Sequence, residues 1–350
     1  MPGMTAPSAL RSQGFFLRRI FPFLLCILLL LGMLCASVAV GAVAVPIDQI
    51  AALLLQTPAA AALPPSLRTI LLDIRLPHAL FVMLVGMSLS ASGCAYQGIF
   101  RNPLADPYLL GIGSGASLGA VAAITLPLLA ANLPVVPVFA FTGALLAVIL
   151  VYRGARPGRN PSSSTRLILA GVSVGAFANA AAMFLLYHDR GDMQRAMTWL
   201  MGGFSLGGWT PVWITAPYIL LGVLALVLMG RVLNLLQFGE EQAEQSGLHV
   251  TRARWVLIAA ASLTTAAGVS FGGVIGFIGL AVPHLARLMW GTDYRRLMPL
   301  SALLGAAVLL AADILARVLL APQELPVGIV TALLGAPFFF YLLRRNGSEP

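Results

Sequence analysis

Residues 20–45 read IFPFLLCILLLLGMLCASVAVGAVAV, an apolar stretch without one charged side chain. A helix crossing the hydrocarbon core of a bilayer needs about 20 such residues. Arg11, Arg18 and Arg19 precede the stretch, and Ala42-Val43-Ala44 has the look of a small-residue cleavage site. That is the outline of a secretory signal peptide. The stretch is too long for a signal core, however, and more apolar runs follow, so it reads as an uncleaved first span.

Working outward, apolar runs recur near 77–100, 107–130, 133–152, 166–187, 210–230, 254–273, 275–290, 298–320 and 326–343. The pattern predicts an all-α polytopic membrane protein of about ten transmembrane helices. Its run at 275–290 is short and carries Pro283, His284 and Arg287, so that segment must pack inside protein to sit at membrane depth. Prolines at 103, 107, 134, 161, 211 and 326 fall at span starts or turns, where a missing N–H costs little. The expected organisation is a tail over 1–19, one membrane domain over 20–345 with a polar loop at 231–252, and a second tail over 346–350.

Composition agrees. Of 350 residues 59% are hydrophobic, mean hydropathy is +0.92 and only 9% are charged, against roughly 25% in a soluble domain. A cytosolic enzyme is excluded. All 21 basic residues are Arg, so no Walker-A Lys, kinase-type Lys or Schiff base can form on this chain. Any ATP must be bound by another subunit. With the N-terminus inside, 16 Arg fall on inner segments and 5 on outer ones, as the positive-inside rule requires. An even number of spans returns the C-terminus to the cytoplasm. The net charge of +9 then reflects topology and gives no reason to expect a nucleic-acid partner. Trp199, Trp209, Trp213, Trp255 and Trp290 stand at or near span ends, where aromatic belts lie.

Several features carry candidate chemistry. Cys26, Cys35 and Cys94 lie inside apolar runs, with spacing for neither a metal cluster nor a disulfide framework, and read as buried small hydrophobes. Gly111, Gly115 and Gly119, and again Gly268, Gly272 and Gly276, repeat every four residues, a small-residue stripe for close helix packing. The stretch from Leu233 to Leu248 is too polar to span. It reads as two short helices broken at Gly239 and Gly247, shaped to dock on another protein. Asp313 and Arg317 lie four apart and can pair on one helix face. Gly203-Phe204-Ser205-Leu206-Gly207 fits G-x-S-x-G with His188 and Asp189 nearby, but the strand-to-helix elbow that motif needs is not predicted. A proton- or sodium-driven carrier would need a midplane carboxylate, and Asp313 is the sole candidate.

Arg75-Leu76-Pro77, then Gly93-Cys94-Ala95-Tyr96-Gln97-Gly98, then Asn102-Pro103-Leu104-Ala105-Asp106-Pro107 with Leu110-Gly111, resemble the permease subunit of type II ATP-binding-cassette importers. This is the FecCD-type family of iron–siderophore, haem and vitamin B12 uptake. Gly276-Phe277-Ile278-Gly279-Leu280 with Val282-Pro283-His284 and Arg287 is similar to its second signature, and Glu324-Leu325-Pro326-Val327-Gly328 with Gly335-Ala336-Pro337-Phe338 to its third. The likeness covers roughly residues 70–345.

The resemblance implies a multi-pass permease of the bacterial inner membrane, without catalytic centre, metal or cofactor of its own. It implies a second permease subunit as homodimer partner, two cytoplasmic ATPase subunits carrying ATP and Mg, and a periplasmic binding protein. Asn102 and Leu104 match an inner gate, and Ser164 falls at the second gate position. Phe238, Gly239, Glu240, Glu241, Ala243, Gly247 and Leu248 lie in the segment that matches the ATPase-coupling helices. Glu244 stands where the family usually has Arg. Arg75 and Arg317 match outer arginines that receive carboxylates of the binding protein, and His78 occupies a third common Arg position.

Overall fold

Each of the ten apolar runs forms a helix, since a backbone in hydrocarbon must satisfy its polar groups within its own segment. The computed structural model describes residues 8–41, 45–46, 49, 64–126, 135–155, 163–188, 193–204 and 207–346. In chain order the helices are α1 Ser8–Ala39, α2 Pro65–Phe100, α3 Ile112–Thr125, α4 Val135–Ala155, α5 Ser163–His188, α6 Met193–Leu200 and α7 Thr210–Leu228. Then follow α8 Gly230–Gln237, α9 Glu240–Gln245, α10 Val250–Gly272, α11 Ile278–Trp290, α12 Tyr294–Leu319 and α13 Val327–Asn346. Among the described residues there is no strand.

Seven helices are long and apolar enough to cross a membrane: α2, α4, α7, α10, α12 and the greater parts of α1 and α5. Of the other three, α13 has a shorter apolar stretch, Val327–Tyr341, and two are short helices. Helix α3 has 14 residues and α11 has 13, about 20 Å each at 1.5 Å per residue. Both are cut short at their starts. Residues before α3 fold as a turn and a 3₁₀ segment, Pro107–Leu110, and the chain between Gly273 and Phe277 is not helical. Helix α2, by contrast, begins at Pro65, well before the apolar run from residue 77.

Helix α2 is the centre. It packs on α7, α10, α11 and α12, and its side chains from Ser88 to Phe100 are all buried. An all-round apolar helix belongs in such a place. Its hydroxyls stitch it to its neighbours: Ser88 Oγ donates to the Thr264 carbonyl at 3.1 Å, Ser92 Oγ to Ala261 at 3.0 Å and Ser90 Oγ to Ser301 at 2.7 Å.

Glycine permits the closest crossings, though only partly where the i, i+4 repeats placed them. Added carbons at Gly115 and Gly119 would strike the α4 backbone at Gly143 and Phe139, so these two do pack helices. Gly111 does not share that role. It has φ +78° and joins the 3₁₀ segment to α3. The second repeat is likewise not one stripe. Gly268 faces Ser88 of α2, Gly272 ends α10, and Gly276 lies beyond the break at Gly273 (φ +67°) with nothing within 4 Å. A four-residue repeat means nothing once the helix stops. The tight α2 crossings instead use Gly86 against Gly305 of α12 and Gly93 against Gly279 of α11. Cys26 and Cys94 are buried as expected, but Cys35 is exposed, because α1 is peripheral and packs mainly on α12.

Candidate functional site

Polar side chains gather at the two ends of the bundle and at one internal junction. At the first end, α2 contains a π-helical stretch, Ile70–Arg75, in which Leu76 N–H donates back five residues to Leu71. Pro77 explains it: the ring has no N–H for the Asp73 carbonyl, so the preceding turn opens. Arg75 emerges from this stretch and donates Nη1 to the carbonyls of Val38 (3.1 Å) and Ala39 (3.0 Å). Arg317 does the same from α12, donating to the carbonyls of Ser37 (3.2 Å) and Val40 (2.9 Å) and to Ser37 Oγ (2.8 Å). The two arginines thus satisfy the orphan carbonyls at the C-terminus of α1, the end where cations are favoured.

Asp313 completes this end. Arg317 Nη2 stands 3.0 Å from Asp313 Oδ2, the pair foreseen at i, i+4, and His78 Nε2 stands 3.0 Å from Oδ1. The His78 ring meets Phe204 edge-on, centroids 5.6 Å apart. Trp209 Nε1 donates to the Leu72 carbonyl at 3.1 Å. Arg75 and Arg317 are therefore buried and turned inward, not free forks projecting from the surface, while His78 is partly exposed.

At the opposite end of α2 lie α8 and α9. Gly239 has φ +112° and Gly247 φ +84°, the breaks that the sequence indicated. Gly247 N–H donates to Glu244 and Leu248 N–H to Ala243, a Schellman stop that needs a left-handed residue at Gly247. Ala243 is buried, Phe238 is exposed, and Glu240 pairs with Arg254 of α10. Glu241 and Leu248 line the outside of the same pair, exposed and half-buried.

This pair is clamped to the core. Gln237 Nε2 donates to the Gly98 carbonyl at the end of α2 (3.0 Å). Asn234 Nδ2 donates to Asp293 Oδ1 (2.6 Å) and Asn234 Oδ1 accepts from Tyr294 N–H (2.9 Å) at the start of α12. Arg287 Nη2 donates to Gln97 Oε1 (2.9 Å), tying in α11. The Arg295 guanidinium beside Asp293 holds its carboxyl well below the usual range, with Asn234 adding to the effect. Together Gln97, Asn102, Asn234, Asp293 and Tyr294 line a cleft of about 650 Å³. Sequence reading missed Asn234, Gln237 and Asp293 as a clamp; a run of polar side chains bordering an otherwise apolar core was the available signal.

Asn102 Oδ1 accepts from Leu104 N–H at 2.9 Å, and both residues are exposed in the turn after Arg101, a non-glycine residue at φ 49°. Ser164 sits in the first turn of α5; its side chain lies outside the described residues. The structure does not bring the three into a described contact.

The internal junction joins the three signatures. Asp106 Oδ1 accepts from Tyr108 N–H (2.8 Å), and Tyr108 OH donates to the Ile275 carbonyl while accepting from its N–H, both at 3.1 Å. Burial pushes the Asp106 carboxyl up to about 6, against the pull of the Tyr108 N–H. Pro107 lies against Gly279, and Phe277 (φ 68°) against Gly335. The G-x-S-x-G stretch falls in the loop between α6 and α7, where Gly203 N–H donates to the Gly272 carbonyl at 3.0 Å. Among the described residues no strand precedes α7, and Ser205 and Leu206 lie outside them.

The described residues thus form a buried helical column clamped at one end and ion-paired at the other. The chain belongs to the FecCD transport family, whose model matches residues 28–345. It is 46% identical to the cobalamin import system permease protein BtuC of Halobacterium salinarum over 282 residues, 80% of this chain and 75% of that one. It is 41% identical to the hemin transport system permease protein HmuU of Yersinia pestis (79% and 84%), and 42% identical to the ABC transporter permease YvrB of Bacillus subtilis (81% and 80%). A solved structure described as an inward-facing metal-chelate type ABC transporter matches with TM-score 0.81 and 30% identity, over 91% of this chain and 97% of that one. The chain is a permease subunit of an ATP-binding-cassette importer and a multi-pass protein of the inner membrane.

Proposed function

We propose that this permease carries a metal chelate or corrinoid (vitamin B12, haem or an iron–siderophore) from a periplasmic binding protein into the cytoplasm, powered by two separate ATPase subunits. The relatives' printed substrates support that class. The Arg asymmetry supports an orientation with both termini and the 231–252 loop in the cytoplasm. The family likeness supports pairing with a second permease subunit, here taken as a second copy of this chain.

The observation carrying this reading is the clamp of α8 on Gly98 of α2 and on Asp293 and Tyr294 at the start of α12, with α9 tied to α10 through Glu240 and Arg254. A pair of short helices fixed to three core helices can pass a push from an ATPase into the bundle, where a solvated loop would absorb it. Phe238, Glu241, Gly247 and Leu248 would face the ATPase, with Gly239, Glu240 and Ala243 setting the pair's shape. Asn102, Leu104 and Ser164 would form the inner gate. At the outer end His78, Arg75 and Arg317 would receive the binding protein. Its carboxylates would draw the guanidiniums off neutral α1 carbonyls, an exchange that charge-assisted hydrogen bonds favour.

Reconstitution in vesicles with the ATPase and binding protein tests the proposal. Uptake of the chelate needing ATP on the ATPase side supports it; uptake by this chain alone on an ion gradient overturns it. Asp313, a buried acid inside a span that a gradient-driven carrier could use, is already held between Arg317 and His78. Ser205→Ala should leave uptake unchanged, which a hydrolase would not tolerate.

A further inference from the structure

Helices α4 and α10 leave an apolar groove between them on the outside of the bundle, about 500 Å³ in volume and lined by Leu145, Ile149, Arg153, Trp255, Ala259 and Leu263. That is within the size range of small-molecule sites. The groove has a direction. Arg153 lies in the last turn of α4 and Trp255 in the second turn of α10, so both stand at one mouth. From there Leu145 and Leu263 lie eight residues along their helices, about 12 Å deeper. With α4 and α10 spanning the bilayer, the charge and the interfacial aromatic would stand at the level of lipid head groups and the apolar floor would run toward the middle of the bilayer.

Charge decides the occupant. Arg153 is exposed and has no hydrogen bond or ion pair among the described residues, and the groove lining holds no carboxylate. Nearby Arg254 is already held by Glu240. The same two helices open a second cleft at their other end, lined in part by Pro137, Phe141, Ala267 and Phe271, of about 160 Å³ and without any charged residue. One helix pair thus offers a larger cleft with a cation at its mouth and a smaller one without.

We propose that the larger groove seats one anionic phospholipid of the inner leaflet, with an acyl chain between α4 and α10 and the phosphate on Arg153. A basic residue near the membrane surface favours an anionic lipid about fivefold. A bound chain would also fill the space beside α10, which packs on the central α2, giving the bundle a lipid requirement separate from its cargo.

Native mass spectrometry of the full chain in detergent tests this, titrating palmitoyl-oleoyl phosphatidylglycerol and, separately, the matching phosphatidylcholine. The wild type should retain phosphatidylglycerol about fivefold more than phosphatidylcholine. Arg153→Gln should abolish that preference and Arg153→Lys should keep it; both change an exposed side chain and leave folding intact. Ala259→Phe, placed in the groove floor, should reduce retention of both lipids. Equal retention of the two lipids by the wild type, or an undiminished preference in Arg153→Gln, overturns the proposal. Full competition by glycerol 3-phosphate also overturns it, since that marks a simple anion site. So does disulfide capture of a second copy through Ile149→Cys, since the groove would then be a subunit interface.

Discussion

His78 of α2 and Asp313 of α12 meet at 3.0 Å across the helix crossing that builds the core, and Arg317 holds the other carboxylate oxygen from one turn away at the same distance. The acid is thus shared between a neighbour on its own helix and a partner 235 positions earlier in the chain. The pairing explains how an acid survives in an apolar span: it is compensated on both oxygens. Removing one member leaves a buried charge and costs more than the pair contributes.

Arg317→Ala should therefore destabilise the protein more than Asp313→Asn. The first loses about 3 kcal/mol through an Asp313 left with His78 alone and the lost bonds to Ser37 and Val40. The second leaves Arg317 on the Ser37 and Val40 carbonyls. Thermal unfolding in detergent, followed by tryptophan fluorescence, ranks the two.

Glycine substitutions should divide by what the added carbon meets. Gly86→Ala, Gly93→Ala and Gly115→Ala drive into backbone, an overpacking that costs roughly 1–3 kcal/mol each. Gly154→Ala and Gly276→Ala meet nothing within 4 Å and should be silent. Yield of folded protein on size exclusion reads the difference.

The clamp should separate transport from ATP hydrolysis. Gln237→Ala frees the Gly98 carbonyl and Asn234→Ala frees Tyr294 N–H, so either should lower ATP-driven uptake about tenfold, as for a loss of roughly 1.4 kcal/mol of coupling. Basal ATPase activity of the assembled complex should persist. Gln242→Ala, on the exposed side of α9, should change neither.

Asp106 sets a pH dependence. Its carboxyl is raised to about 6 in the folded chain from an ordinary 3.8, so the folded state binds the proton more tightly. Stability then falls as pH rises through that window, and the full penalty stands above it. Asp106→Asn keeps an acceptor for Tyr108 N–H and never ionises. It should melt higher than wild type above about pH 6, with the gap closing toward about pH 4. Equal melting temperatures at both ends would sink the assignment.

Much of this was legible in the chain. Apolar runs are long, so hydropathy alone located the ten apolar helices, and Gly239 and Gly247 marked the breaks around α9 because no other residue takes those backbone angles cheaply. The Asp313–Arg317 pair followed from helical spacing. What did not follow were contacts between segments remote in sequence. The periodicity of Gly268, Gly272 and Gly276 is blind to the unwinding at Gly273, and the pairing of Gly86 with Gly305 has no local signature. Arg75 and Arg317 looked like outward-facing cations because sequence shows a charge but not the α1 carbonyls that satisfy it.

Helix α2 carries Arg75 and His78 just after its π-helical stretch and Gln97 and Gly98 near its C-terminal end. About 30 Å separates them, the thickness of the hydrocarbon itself. Its middle is enclosed on several sides by backbone at glycine distance, which leaves little room to bend or compress. Such a rod transmits displacement instead of dissipating it. In the proposed transport cycle, whatever grips Arg75 and His78 would alter the hold on Gln97 and Gly98 by the same free energy, in either direction, so docking at one end and the ATPase's push at the other would become two readings of one shaft.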